Sequence, residues 1–214
     1  MENKGKFVIV LGRQFGCGAR VIGKKLASRF GIPYYDKELL HEAAKSSGVN
    51  AEVFEASDER SPSMVSSLWA FNVGFGPASY FMGGGSSFGN DDIYKAQSEV
   101  MKGLADQGPC LIVGRTADYI LRNYTNVISI FLHASLDDRI NRIIDRGDCE
   151  SENDARDMAL KNNKLRASYY SFYTDSQWGD AATYDLTVNV SALGVDRCVD
   201  LIEKYVKMRL QADK

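Results

Sequence analysis

The residues best placed to do chemistry are cationic and gather around glycines. Gly12, Gly16 and Gly18 punctuate a turn, Arg13 and Arg20 flank it, and Lys24 follows one helical turn later. Glycines let a backbone curl so that free N–H groups converge on an anion, and a following helix adds the positive end of its dipole. Phosphate is the anion such a turn suits. The stretch departs from the GxxxxGK[ST] phosphate-loop pattern, because Gly18 is followed by Ala19, Arg20 and Val21. The lysine that would reach the outer phosphates and the hydroxyl that would take Mg2+ are both missing. Arg13, Arg20 and Lys24 are the available substitutes, with Arg20 immediately after the turn. A plain strand-to-helix turn is the other reading of these glycines.

Further arginines recur downstream. Arg139, Arg142 and Arg146 are spaced i, i+3 and i+7, which puts them on one helix face. Asp137, Asp138 and Asp145 lie close by, so the same pattern reads as a solvated face with local ion pairs. Lys161, Lys164 and Arg166 precede Tyr169-Tyr170 and admit the same two readings. Gly114-Arg115 follows the apolar run Cys110-Leu111-Ile112-Val113, at the edge where parallel sheets bind ligands. The planar fork of arginine matches phosphate with two parallel hydrogen bonds. Asp118 could reach a metal or cap a short helix, and Asp36 reads as the cap of the helix after it.

These side chains need a frame. Apolar runs predict strands at 7–11, 33–35, 110–113, 127–132 and 185–190. Between them lie amphipathic stretches. Ile22, Leu26 and Phe30 share one face, helices are predicted at 37–47 and 91–107, and Ile93, Ala96, Val100 and Leu104 line the latter. Others follow at 136–146, 155–173 and 194–210, the last with Cys198, Leu201, Ile202 and Tyr205 as its stripe. Alternation of strand and helix predicts an α/β fold of three layers. The expectation is a five-stranded parallel sheet, helices on both faces and the glycine loop at its C-terminal edge. Residues 68–90, rich in glycine, serine and aromatics, read as a flap or as a homo-oligomer interface.

Composition excludes several classes. A chain of 214 residues with 44% hydrophobic content suits one well-buried domain. A net charge of −2 gives no reason to expect nucleic acid or an anionic membrane as partner. No apolar run approaches the roughly 20 residues of a membrane span, and the N-terminus lacks a secretory pattern. The cysteines, Cys17, Cys110, Cys149 and Cys198, form no CxxC pair. A reduced, cytoplasmic protein without a cysteine zinc site is the expectation.

Taken together, GRQFGCGARVIGKKLA, GIPYYDKELLHEAA, IYKAQSEVM, CLIVGRTADYIL, IFLHASLDDRINRI, KLRASYYSFYTDSQWGD and YDLTVNVSALGVDRCVDLIEKY resemble, in order, the nucleoside monophosphate kinases of the cytidylate kinase-like family. The resemblance implies a P-loop kinase core at 1–36, 108–146 and 180–214, an acceptor-binding insert at about 37–107 and a lid at about 147–179. It implies in-line transfer of the ATP γ-phosphoryl to a nucleoside monophosphate, CMP or dCMP, with Mg2+. It places Gly12, Arg13, Gly16, Cys17, Gly18, Ala19 and Lys24 on the donor phosphates. Arg20, Arg115, Arg139, Arg142 and Arg166 become catalytic, and Asp36, Arg115 and Asp118 bind the acceptor. No metal ligand is assigned. Val113 and Thr116 stand where this family has acidic residues flanking its Gly-Arg pair. A kinase for another small acceptor, or a nucleotide sensor without chemistry, remain the alternatives.

Overall fold

The computed structural model describes residues 6–36, 90–114 and 116–212. The predicted helix at 37–47, the 68–90 segment short of its last residue, and Arg115 lie outside them. Strand β1 (Val8–Arg13) leads through the glycine loop into α1 (Ala19–Phe30), then β2 (Tyr34–Tyr35). After α2 (Asn90–Gln107) come β3 (Cys110–Val113), the single turn α3 (Ala117–Ile120) and β4 (Val127–His133). Helices α4 (Leu136–Asp145) and α5 (Glu152–Thr174) form a hairpin, and β5 (Leu186–Asn189) and α6 (Val190–Ala212) close the chain.

The five strands are all parallel, in the order β2-β3-β1-β4-β5. Parallel strands need both faces covered, and the alternation along β1 shows how this is met. Ile9 and Leu11 face α1 and α6 with Phe7, while Val8 and Val10 face α2 and α3. Pairing with β3 ends at Leu11↔Val113, whereas pairing with β4 continues to Arg13↔Leu132. The centre of the sheet therefore runs out beside Gly114, and the loop starts from that step.

Each predicted strand is present within two residues of its expected bounds. The predicted stripe on α6 holds at Cys198, Ile202 and the partly buried Tyr205 and fails at Leu201. Cys198, Val199, Ile202 and Val206 are fully buried, while Leu201 is 41% exposed. Gly194, whose φ of 75° and ψ of 168° break the helix, lies before this stripe. A separate small core, Ile140, Ile143, Ala155 and Ala159, holds α4 to α5, and Phe15 of the loop packs against it. Among the described residues no helix is long and apolar enough to cross a membrane.

Candidate active site

The loop is built from backbone hydrogen bonds to three different elements. The Gln14 N–H donates to the Leu132 carbonyl at 3.0 Å, and the Gln14 side chain accepts from the Ala134 N–H at 3.2 Å. The Phe15 N–H donates to Asn163 Oδ1 of α5 at 2.8 Å, and Arg139 Nη1 of α4 approaches the Phe15 carbonyl at 3.5 Å. Gly16 and Gly18 hold φ at 79° and 91°, a region costly for side-chain-bearing residues. A Cβ on Gly16 would sit 2.8 Å from the Arg139 carbonyl oxygen. At Gly18 there is room, with Arg142 Nε at 3.9 Å. Val21 and Ile22 N–H both donate to the Gly18 carbonyl, which opens the ladder of α1. Cys17 turns inward, 1% exposed, and burial raises its thiol pKa against the pull of Arg166, Arg13 and Arg142.

Those arginines come from separate elements and meet around the loop. Arg139 is 5% exposed, so it is not part of a solvated face. Its position above the loop is set by α4 packing on Gly16. Arg139 Nε and Arg142 Nη1 are buried and have no hydrogen-bond partner among the described residues. Buried guanidinium donors without an acceptor are costly unless something anionic arrives. Arg166 Nη1 donates to the Arg13 carbonyl at 2.9 Å. The Arg166 and Arg146 guanidiniums lie 5.4 and 5.3 Å from the centre of the Phe15 ring. Two cations around one aromatic ring fix the hairpin to the loop. The i, i+3, i+7 spacing carried Arg146 without revealing Phe15 as its partner.

Beside the loop a second polar cleft opens between the ends of β1 and β3. It is lined by Gly12, Arg13, Gly114, Asp118, Arg166, Tyr170, Trp178 and Tyr184. The Arg13 guanidinium lies against Gly114 so closely that no Cβ could be accommodated there. Tyr170 Oη donates to Asp118 Oδ2 at 2.6 Å. Burial raises the Asp118 pKa despite that bond, and burial next to Asp118 raises Tyr170 and Tyr184 as well. Thr116 holds φ at 55°, a strained value for a β-branched residue, and it directly follows Arg115.

Asp118 yields a prediction with a definite sign. Its folded pKa is above the ordinary carboxylate value, so the folded chain holds this proton more tightly than the unfolded one. Its contribution to stability is therefore present below the ordinary value and lost as pH rises through the raised one. Thermal melts across the acid range should show that slope flattened in Asp118→Asn. An unchanged slope would remove Asp118 as its source.

The remaining expected site residues sit nearer the rim. Arg20 has a 62% exposed side chain, and its Nε lies 3.6 Å from Asp36 Oδ2. Asp36 is buried at the end of β2, and its charge, after burial, helps push the Tyr34 hydroxyl up to about 12. Lys24 is exposed, with Nζ 6.0 Å from the centre of the Tyr34 ring. Ala19 is the first residue of α1, and Val21 is 50% exposed. Among the described residues no group of three His, Cys, Asp or Glu could hold a metal ion. All four cysteines are free.

A family model described as the cytidylate kinase-like family matches residues 8–192. The chain belongs to that family. It is 22% identical over 202 residues to a cytidylate kinase of Methanococcus aeolicus, covering 93% of this chain and 97% of that one. Over 120 residues it is 28% identical to a cytidylate kinase of Saccharolobus islandicus, 56% of this chain and 62% of the other. Among solved structures it resembles an uncharacterized protein from Eubacterium ventriosum, with a TM-score of 0.70, 30% identity and coverage of 94% and 98%. A shikimate kinase from Acinetobacter baumannii, solved in complex with shikimate, shares the fold at a TM-score of 0.53 and 14% identity, over 96% of this chain and 95% of that one. Family and fold together support a phosphotransferase, and kinases of this kind generally use ATP and Mg2+.

Proposed function

We propose that this cytidylate kinase-like chain transfers the γ-phosphoryl of ATP directly to a nucleoside monophosphate, with CMP or dCMP as the acceptor. The observation that carries this reading is the pair of orphaned buried donors, Arg139 Nε and Arg142 Nη1, beside a glycine loop. A polyanion gives such donors the partner that no described side chain supplies. The loop N–H groups and the start of α1 add to the same field. Arg142 and Arg139 serve the donor phosphates, with Arg166 between them and the cleft at Gly114. Arg115, directly after Gly114, meets the acceptor phosphate, with Asp36 and Asp118 on the acceptor side. Phosphoryl transfer needs positioning and charge stabilisation and no covalent enzyme intermediate. The described side chains build no divalent-cation site, so Mg2+ would enter on the ATP phosphates and no step is assigned to it.

Residues 147–179, which include α5, act as the lid and return helix of this reading, and 37–107 as the acceptor insert. A reduced, cytoplasmic setting is in keeping with the four free cysteines. The test is Arg115→Ala. With nucleoside monophosphates and ATP, its turnover should fall by about 10²- to 10³-fold, the usual effect of removing one charge-stabilising donor. Turnover at the parent rate would remove the acceptor assignment. A thermal shift with nucleotides and no turnover in the parent would favour a sensor.

A further inference from the structure

The loop lacks its lysine, and the described structure contains a cation with no structural employment. Arg13 is the residue in question. Its carbonyl accepts from Arg166, but its guanidinium has no hydrogen bond or ion pair among the described residues. Burial lowers its pKa, and the Asp36 carboxylate only partly opposes that. Gly114, at φ 74°, leaves the seat that the guanidinium occupies. Holding a guanidinium in such a place without a carboxylate in hydrogen-bond contact costs stability. The chain carries that cost at the step where β3 ends and β1 continues, beside the residue that precedes Arg115.

We propose that Arg13 is the cation this loop uses in place of the missing lysine, a catalytic residue touching the terminal phosphoryl group between donor and acceptor. This rests on the phosphotransferase reading and adds to it a role that the sequence divides among three cations. The other two are engaged elsewhere. Arg20 is at the rim with Asp36, and Lys24 lies a turn further along α1 beside Tyr34. Arg166 reaches the Arg13 carbonyl and the Phe15 ring, which leaves it flanking the same point. A phosphoryl group held by the loop and directed towards Gly114 meets the Arg13 fork first.

Calorimetric binding of ADP and of the β,γ-imido analogue of ATP separates the roles, with Arg13→Met, Arg13→Lys and Arg20→Met beside the parent. Arg13→Met should weaken the triphosphate analogue by about 10- to 100-fold and ADP by less than about twofold, as expected for one charge-assisted contact. Arg13→Lys should recover part of the difference. Thermal melts of Arg13→Met should match or exceed the parent, because a half-buried charge without a hydrogen-bond partner has been removed. Equal weakening of both nucleotides, no weakening, or the selective loss in Arg20→Met instead would overturn the assignment. A parent that binds neither nucleotide overturns the phosphotransferase reading itself.

Discussion

Gly16→Ala is expected to destabilise the chain by about 2–5 kcal/mol and to abolish nucleotide binding. Two effects add. A side-chain-bearing residue at φ 79° costs about 1–2 kcal/mol. Its Cβ would also lie 2.8 Å from the Arg139 carbonyl, a backbone atom inside α4 that cannot swing aside. Overpacking of that kind costs about 1–3 kcal/mol. Gly18→Ala separates the two, since it has the positive φ but its Cβ would meet only ordinary van der Waals contacts, at 3.7 Å or more. Urea melts should place Gly18→Ala between the parent and Gly16→Ala. Equal losses at both positions would mean that the contact with α4 contributes nothing.

Arg166→Ala is the second large effect, expected at about 10²- to 10³-fold in single-turnover phosphoryl transfer. The substitution removes a cation from the proposed transfer path and the donor that holds the Arg13 carbonyl. It also releases one of the two guanidiniums that clasp Phe15. The folded state should lose only about 1 kcal/mol, the usual net value of such a hydrogen bond. Lys161→Ala and Lys164→Ala, exposed on the same helix, should leave the rate within about twofold. A loss shared equally by all three would point to the general field of α5 and away from Arg166.

The sheet was legible because buried parallel strands are short apolar runs with glycine or polar residues at their ends, and 110–113 shows this without ambiguity. The arginines were legible as a set but not as individuals. Spacing on α4 puts Arg139, Arg142 and Arg146 on one face, yet their environments diverge from a 5% exposed Arg139 to an exposed Arg146 paired with Asp148. What separates them is the approach of the loop, a contact across more than a hundred residues that no local pattern encodes. The same holds for Asn163 on the Phe15 N–H and for Tyr170 on Asp118. Gly114 was read as the start of a ligand edge; that it also makes room for Arg13 depends on strand register. On α6 the spacing found Cys198 and Ile202 but took the exposed Leu201 for a core residue in place of Val199 and Val206.

The most direct measurement is transfer of label from γ-32P-ATP, with Mg2+, to each nucleoside monophosphate in turn. The proposed function predicts labelled nucleoside diphosphate, with CMP or dCMP the fastest acceptor from the likeness to cytidylate kinases and loss of that label in Arg142→Ala from the arginine arrangement. Tight nucleotide binding with no label transferred to any monophosphate would contradict it.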